Sequence, residues 1–389
     1  MLSTAHNAQT YKGGGSGVME DFLSKQTESR YSSTREVASG LTESYEGSPE
    51  GRLGTPTLLA ERESPSRFLQ IIDDPWYQLL VELQDTVAVE TTMFWRSRGA
   101  RYLNLPITTS SISSPMGLGS DSSPVKITLF GVETYLADSM QFMLEYGCRF
   151  SKDGCYYLMP SFRGEEADTS HLNQFFHSEA EIVGSLEDVM GIVDSYVRHL
   201  ANAIVDRHQV QLRLHAEGTG HIEEVANLDG IPRISFDEAV EILDDEPSLI
   251  THDTGGWRNL TRLGEQELMR LVSPIVWVTG WDHLAVPFYQ AFGNSTRESA
   301  RNGDLLLGIG EVAGCGERHE TGRDVRDALA LHRVNEADYK WYVDLKEHRP
   351  LRTSGFGLGV ERFLMWVMGH RDIRDLQLLP RYNGVANVP

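Results

Sequence analysis

Three glycines stand at alternate positions, 355, 357 and 359, in the run GFGLGVERF, and only some twenty-seven residues follow Arg362. That placement decides much of what the chain can fold into. A Rossmann unit needs a strand, a glycine loop and a helix opening a βαβ element, with an acidic residue about 20 positions further on. The residues remaining are too few for a doubly wound half. A Walker loop needs Gly-Lys-Ser/Thr after its last glycine, and Val360-Glu361-Arg362 stands there instead. The glycines are therefore read as letting the final helix, from about Leu358 to Met368, press tightly against a strand. Arg362 is harder to place on that reading, because a cation in the first turn opposes the helix dipole unless an anion is close.

The rest of the chain also lacks regular βαβ alternation. Helical spacing runs from Pro75 and stops at Gly99, YLNLPITTS (102–110) reads as a short strand containing Pro106, and VKITLFG and YYLMPSFRG read as strands. A long amphipathic helix follows in LEDVMGIVDSYVRHLANAIVDR. Ser235 and Glu238 form a capping box. PIVWVTG and DLLLGIGEVAG read as buried strands. Strands occurring singly and in pairs among long helices predict an α+β domain, an antiparallel β-sheet flanked by helices. Residues 1–67 are rich in Ser, Thr, Glu and Gly with no sustained apolar period, which predicts a disordered tail before an ordered domain at 68–389. GGGSG at Gly13–Gly17 resembles a flexible linker.

The chain has 389 residues, 40% of them hydrophobic, and a formal charge of −21. Polyanion binders usually carry a basic surface, so this charge lowers the expectation of a nucleic-acid partner. Cys148, Cys155 and Cys315 lack both disulfide and metal-site spacing, and read as free thiols of a reducing compartment. No apolar run reaches a membrane span and no secretory signal opens the chain, so the expected location is cytoplasmic.

Three stretches carry potential chemistry. In SFRGEEADTSHLNQFFHSEAEI, Arg163 and Glu165, two apart on a strand, face the same way, with Phe175 opening a second apolar piece. An arginine for a phosphate, a carboxylate for a base amine and an aromatic ring to stack on would make an adenine-nucleotide site. The same residues also read as a cross-strand ion pair over a core ring. In GDLLLGIGEVAGCGERHE, Asp304 and Glu311 suit Mg²⁺ beside phosphates, or simply end a strand, and Arg318 follows seven residues after Glu311. Arg362 completes the set.

Taken in order, these stretches resemble the motifs of class II aminoacyl-tRNA synthetases of the asparaginyl/aspartyl subclass. YLNLPITTS is similar to motif 1 with its proline at Pro106, SFRGEEADTSHLNQF to motif 2, and SGFGLGVERFLMWVMGHRDIRDLQLLPR to motif 3; VTGWDHLAVPFY and GDLLLGIGEVAGCGER follow the family pattern between them. The resemblance covers about Phe68 to the end. It implies that Arg163 holds the α-phosphate of ATP and the attacking carboxylate, that Glu165 meets the adenine amine and Phe175 stacks on the ring, and that His171, Gly359 and Arg362 complete the nucleotide site. It implies Mg²⁺ on Asp304 and Glu311, an amino-acid pocket lined by Ser139, Gln141, Glu145 and Arg318, and a homodimer built through motif 1.

Some positions depart from the pattern. The motif 2 loop lacks the arginine that usually precedes His171. Leu144-Glu145 stands where aspartyl enzymes put a lysine, which leans to the asparaginyl side. The family's Glu for the substrate α-ammonium is missing after motif 1, leaving either Asp121 or Asp138 to substitute or a substrate whose α-amino group is blocked or absent. No five-stranded anticodon barrel is legible before Phe68. From these departures the leading expectation is an AMP-forming ligase that passes an aspartyl-type carboxylic acid to ammonia or a small amine without tRNA, on the plan of archaeal asparagine-synthetase-like relatives. The alternatives are an asparaginyl-tRNA synthetase and an inactive regulatory paralogue.

Overall fold

The computed structural model describes Ser64 and residues 66–113, 118 and 123–384. The expected tail to residue 63 and the candidate Asp121 lie outside the described residues.

After a short helix α1 (Arg67–Gln70), α2 (Pro75–Ser97) starts with Pro75 at its first position, where no N–H is needed, and with the Asp74 carboxylate accepting from Trp76 N at 2.9 Å. It stops where Gly99 takes φ +82°, a left-handed turn open to glycine at no cost. The chain continues through β1 (Arg101–Tyr102), β2 (Thr108–Thr109), β3 (Val125–Leu129), β4 (Val132–Leu136), α3 (Gln141–Gly147), β5 (Cys155–Phe162) and β6 (Gln174–Val183). Then come α4 (Leu186–His215), α5 (Gly220–Ala226), β7 (Arg233–Ser235), α6 (Phe236–Ile242), β8 (Ile250–His252), β9 (Arg258–Leu260), α7 (Arg262–Leu271) and β10 (Ile275–Thr279). The last elements are β11 (Asn302–Leu307), β12 (Glu311–Glu317), α8 (Gly322–Leu331), α9 (Lys340–His348), β13 (Thr353–Gly359) and α10 (Val360–Val367).

The main sheet has the order β1-β5-β6-β13-β12-β11-β10-β7. Every neighbouring pair is antiparallel except β1 with β5 and β10 with β7, which are parallel and lie at the two ends. The predicted α+β class holds. One face of the central strands presents Ala313, Cys315, Phe356 and Leu358, which join the core made with α2 and α4. Residues alternate along a strand, so Gly314, Gly316, Gly355 and Gly357 lie on the opposite face, where the chemistry collects.

Four local readings change. The glycine run is not the start of a helix: β13 continues to Gly359 and α10 begins at Val360. Its glycines make room for side chains of β6, not for the helix. A Cβ at Gly355 would come 1.8 Å from Glu181 Oε2, and one at Gly357 would come 3.2 Å from Glu179 Oε1. DLLLGIGEVAG is two strands of a hairpin, turned at Gly308 and Gly310 with φ of +62° and +133°. YLNLPITTS is two fragments, β1 and β2, interrupted around Pro106, whose ring carries no N–H for a ladder. Finally, β5 ends at Phe162, so Arg163 and Glu165 sit in the loop beyond it and share no strand face. Ser235 and Glu238 do form the expected capping box. Among the described residues no helix is long and apolar enough to cross a membrane.

Candidate functional site

Two adjoining clefts open over the glycine face. The first, of about 540 Å³, is lined by Arg163, His171, Phe175, Gly359 and Arg362 among others. Arg163 leaves β5 with its guanidinium carbon 5.5 Å from the centre of the Phe175 ring, and its buried Nε has no protein partner. A buried cationic donor left open in a cleft is poised for an anion. Phe175, at the start of β6, stands edge-on to His177 at 4.8 Å and offers a face to the cleft.

Arg362 lies in the first turn of α10. Its Nη1 donates to the Glu311 carbonyl at 2.9 Å and reaches the Glu311 carboxylate at 3.4 Å, while Nη2 meets His171 Nε2 at 3.2 Å. The charge that opposes the helix dipole is thus answered by Glu311. His171 is aimed from its other side, since Nδ1 meets Asp168 Oδ1 at 3.0 Å and Ser170 Oγ at 3.1 Å. Burial pushes the Asp168 carboxyl upward, but hydrogen bonds from Ser170 and the pairing with His171 outweigh it and hold it at about 2.

Asp304 on β11 and Glu311 on β12 converge above Gly314. A Cβ there would lie 3.3 Å from Asp304 Oδ1 and 3.2 Å from Glu311 Oε1. Burial, then the charges of Glu311 and Glu265, push the Asp304 carboxyl well above the usual range. Glu265 of α7 is raised to about 7 by burial and then by Glu311. Carboxylates crowded in this way are what a hard divalent cation relieves, with water and phosphate oxygens completing its shell. Asp304 and Glu311 therefore fit Mg²⁺ by type and position, although among the described residues no cluster of metal-binding side chains is complete by itself.

The second cleft, of about 910 Å³, is walled by Asp138, Ser139, Gln141, Glu179, Tyr289 and Arg318 and meets the first at Arg163 and Gly357. Arg318 is held bidentately by Glu181, with Nε–Oε1 and Nη2–Oε2 both 3.1 Å, and its Nη1 donates to Gln290 Oε1 at 3.2 Å. Burial lowers the tendency of this arginine to carry charge, and the Glu181 carboxylate more than restores it. Glu179 is buried and accepts from Ser139 Oγ at 2.6 Å, from the Tyr157 hydroxyl and from His177 Nδ1 at 3.0 Å. Burial pushes its carboxyl up, and these donors bring it below the usual range. Asp138 is fixed by Ser113 N at 3.1 Å and Ser113 Oγ at 2.8 Å, and burial dominates to raise its carboxyl. The Gln141 Nε2 is buried without a partner.

Two predicted residues line neither cleft. Glu165 is turned to Ser123, accepting from its N–H at 3.1 Å. Glu145 points into the core, paired with the buried Lys346 and with the Tyr342 hydroxyl at 2.7 Å. Conversely, sequence reasoning passed over His177, Glu179 and Glu181. Their signal was an alternation on β6, polar at every second position, opposite Gly359, Gly357 and Gly355 in the register.

Comparison with known proteins places the chain in a family. The family model described as tRNA synthetases class II (D, K and N) matches residues 61–383. The asparagine--tRNA ligase of Aeromonas hydrophila is 32% identical over 263 residues, covering 65% of this chain and 55% of the relative. That of Yersinia enterocolitica is 31% identical over the same length. The chain thus spans a little over half the length of the curated relatives it matches. In fold it is similar to asparaginyl-tRNA synthetase from Pyrococcus horikoshii complexed with asparaginyl-adenylate, with a TM-score of 0.75, 23% identity, and 84% of this chain and 73% of that one covered. The Entamoeba histolytica asparaginyl-tRNA synthetase gives a TM-score of 0.72 at 18% identity, covering 89% of this chain and 74% of that one. With the family match running from before α1 through the whole sheet to Asn383, the chain belongs to the class II tRNA synthetases of the D, K and N group.

Proposed function

We propose that residues 68–389 catalyse ATP-dependent, AMP-forming activation of an asparagine-type amino acid, and that the acyl group is then passed to tRNA. The observation that carries this reading is the meeting of the two clefts at Arg163. A carboxylate seated by Arg318 in one cleft and an α-phosphate in the other would both fall within reach of that single guanidinium. Attack of a carboxylate oxygen on the α-phosphorus forms the acyl-phosphate bond, and the bond to the bridging oxygen breaks with its electron pair leaving on pyrophosphate. Arg163 neutralises charge as it develops on the α-phosphate, and Arg362 and His171 hold the leaving end; such catalysis is positioning and electrostatics. Asp304 and Glu311 would hold Mg²⁺, which supplies neutralisation of the polyphosphate charge. The buried Glu179, beside Ser139 and Gln141, favours a neutral hydrogen-bonding side chain over a second carboxylate.

The acceptor reading reverses the one drawn from sequence. The similar curated proteins are named asparagine--tRNA ligases. The small-amine reading rested on the net charge of −21 and on segments before Phe68 and after motif 1 that lie wholly or partly outside the described residues, and nothing in the described site favours it. Retention of Arg163, Asp304, Glu311, Arg318 and Arg362 at one site supports an active enzyme over an inactive paralogue. We also infer a homodimer through the motif 1 side, supported by exposed apolar residues there such as Tyr102 and Ile107.

Pyrophosphate exchange with asparagine, aspartate and small acids, followed by charging of total tRNA, tests the reading. Asparagine-dependent exchange with acid-labile aminoacylation is expected. Exchange followed by amide formation with ammonia and no charging would instead restore the small-amine ligase. No exchange with any acid would sink both.

A further inference from the structure

Arg262 opens α7 and reaches across to the loop that carries His171, where its Nη1 donates to Thr169 Oγ1 at 3.2 Å. It is exposed and lines a third cleft, of about 820 Å³, with Ser170, His171, Glu265, Glu311 and Arg362. Ser170, His171, Glu311 and Arg362 also line the nucleotide cleft, so the two spaces adjoin at these residues.

Arg262 also differs from the arginines nearest to it in sequence. Its neighbours Arg258 and Arg270 are spent on Asp282 and Glu267. Among the described residues no carboxylate forms an ion pair with Arg262, in a chain of charge −21. One hydroxyl occupies one of its five N–H donors, and the side chain lines a cleft whose other charged walls are Arg362, Glu265 and Glu311, with His171 beside them. Arg262 is the cation of this cleft without a carboxylate of its own, and the ligand chemistry that uses its open donors together with Arg362 and His171, with a divalent cation to offset Glu265 and Glu311, is a compact polyanion with several oxygens. The motif 2 loop carries no arginine next to His171, and Arg262 brings one to that loop from another element.

Resting on the function proposed above, we propose that Arg262 is a binding residue for the pyrophosphate group, as the terminal phosphates of bound ATP and as free pyrophosphate leaving through the third cleft. Thr169 holds the guanidinium over the channel, and Arg362 and His171 hand the group on to it.

The test compares wild type with Arg262→Ala, Arg262→Lys and Thr169→Val. Stabilisation against heat by magnesium pyrophosphate alone needs no turnover; exchange kinetics give KM for pyrophosphate, ATP and the amino acid. Arg262→Ala is expected to raise the pyrophosphate KM by roughly tenfold or more, the loss that a charge-assisted hydrogen bond implies. It should also lose most of the thermal protection while leaving the amino-acid KM unchanged. Arg262→Lys, a point charge without the fork, and Thr169→Val, without the tether, should fall between. A matching rise in ATP KM assigns the contact to the bound nucleotide, and its absence assigns it to the leaving product. Unchanged pyrophosphate KM and protection in Arg262→Ala, with its unliganded melting temperature intact, would overturn the proposal. A wild type inert in exchange would count against the activation reading alone. Pyrophosphate protection present in wild type and lost in Arg262→Ala would still support the arginine's role, and protection absent from both would end it.

Discussion

Gly355 of β13 lies directly opposite Glu181 of β6, and the space its missing side chain leaves is filled by the Glu181 carboxylate that clamps Arg318. A methyl group there would sit 1.8 Å from Oε2 and 2.7 Å from the Ala180 carbonyl, and the backbone oxygen cannot yield. Gly355→Ala should therefore destabilise the fold by about 1–3 kcal/mol through overpacking. It should also weaken amino-acid binding more than ATP binding, because Arg318 loses its bidentate partner. Urea unfolding and separate KM values in pyrophosphate exchange check both parts; a variant with wild-type stability and unchanged amino-acid KM would refute the packing argument.

Arg362 is a different case, since its neighbours are two groups of the same site. Its contact with the Glu311 carboxylate is 3.4 Å and half-buried, so the folded state owes it about 1 kcal/mol or less. Arg362→Ala should keep the melting temperature within a few degrees while lowering exchange by about 10²-fold or more, as loss of a charge-stabilising group at a reacting phosphate does. Exchange that survives the substitution would show that the cleft beside α10 does not hold the nucleotide.

The sequence carried the sheet and most of the charged residues, because alternation, caps and the run GFGLGVERF are local signals. It carried the partners of those residues poorly. Glu145 stands in the same short helix as Gln141 and reads as a pocket residue, yet the buried Lys346, two hundred positions away, turns it to the core. Glu181 reads as an ordinary strand residue until β13 is laid beside it and Gly355 makes its cavity. The end of β5 was misplaced because Arg163 and Gly164 continue its pattern, whereas the backbone of Gly164 bonds instead to Ser123 at 2.6 Å. Pairings of this length are tertiary facts, and period and propensity do not encode them.

Beneath the amino-acid cleft three buried histidines hold the wall. His283 Nε2–H donates to the Gln290 carbonyl at 2.9 Å, so its Nδ1 accepts from His332 Nε2 at 2.9 Å, and His319 Nε2–H donates to the Phe288 carbonyl at 3.1 Å. Burial depresses His283 to about 4 and the other two to about 3. An unfolded histidine titrates near 6.5, so between about pH 6.5 and 4 the unfolded chain binds more protons. The stabilisation is then complete above about pH 6.5 and is lost as pH falls toward 4, by up to about 3 kcal/mol for His283 alone. His283→Gln, which can still donate to Gln290, should flatten the pH dependence of the urea midpoint over this window. An identical slope in variant and wild type would contradict the assignment.

The ion pair of Lys346 with Glu145 gives the sharpest separation of structure from function. Both side chains are buried, and burial pulls the lysine ammonium below its ordinary range despite the carboxylate beside it. Lys346→Met strands a buried carboxylate whose remaining hydrogen-bond partner among the described residues is the Tyr342 hydroxyl, at a cost of about 3–5 kcal/mol. Glu145→Gln added to it removes the charge, keeps an acceptor for Tyr342 and should recover much of that loss. If Glu145 is structural, the double variant recovers stability and binds the amino acid as wild type does. If it belongs to the pocket, stability returns but amino-acid KM stays raised. Unfolding curves and exchange kinetics on the two single variants and the double variant, read as a coupling energy, decide between these outcomes.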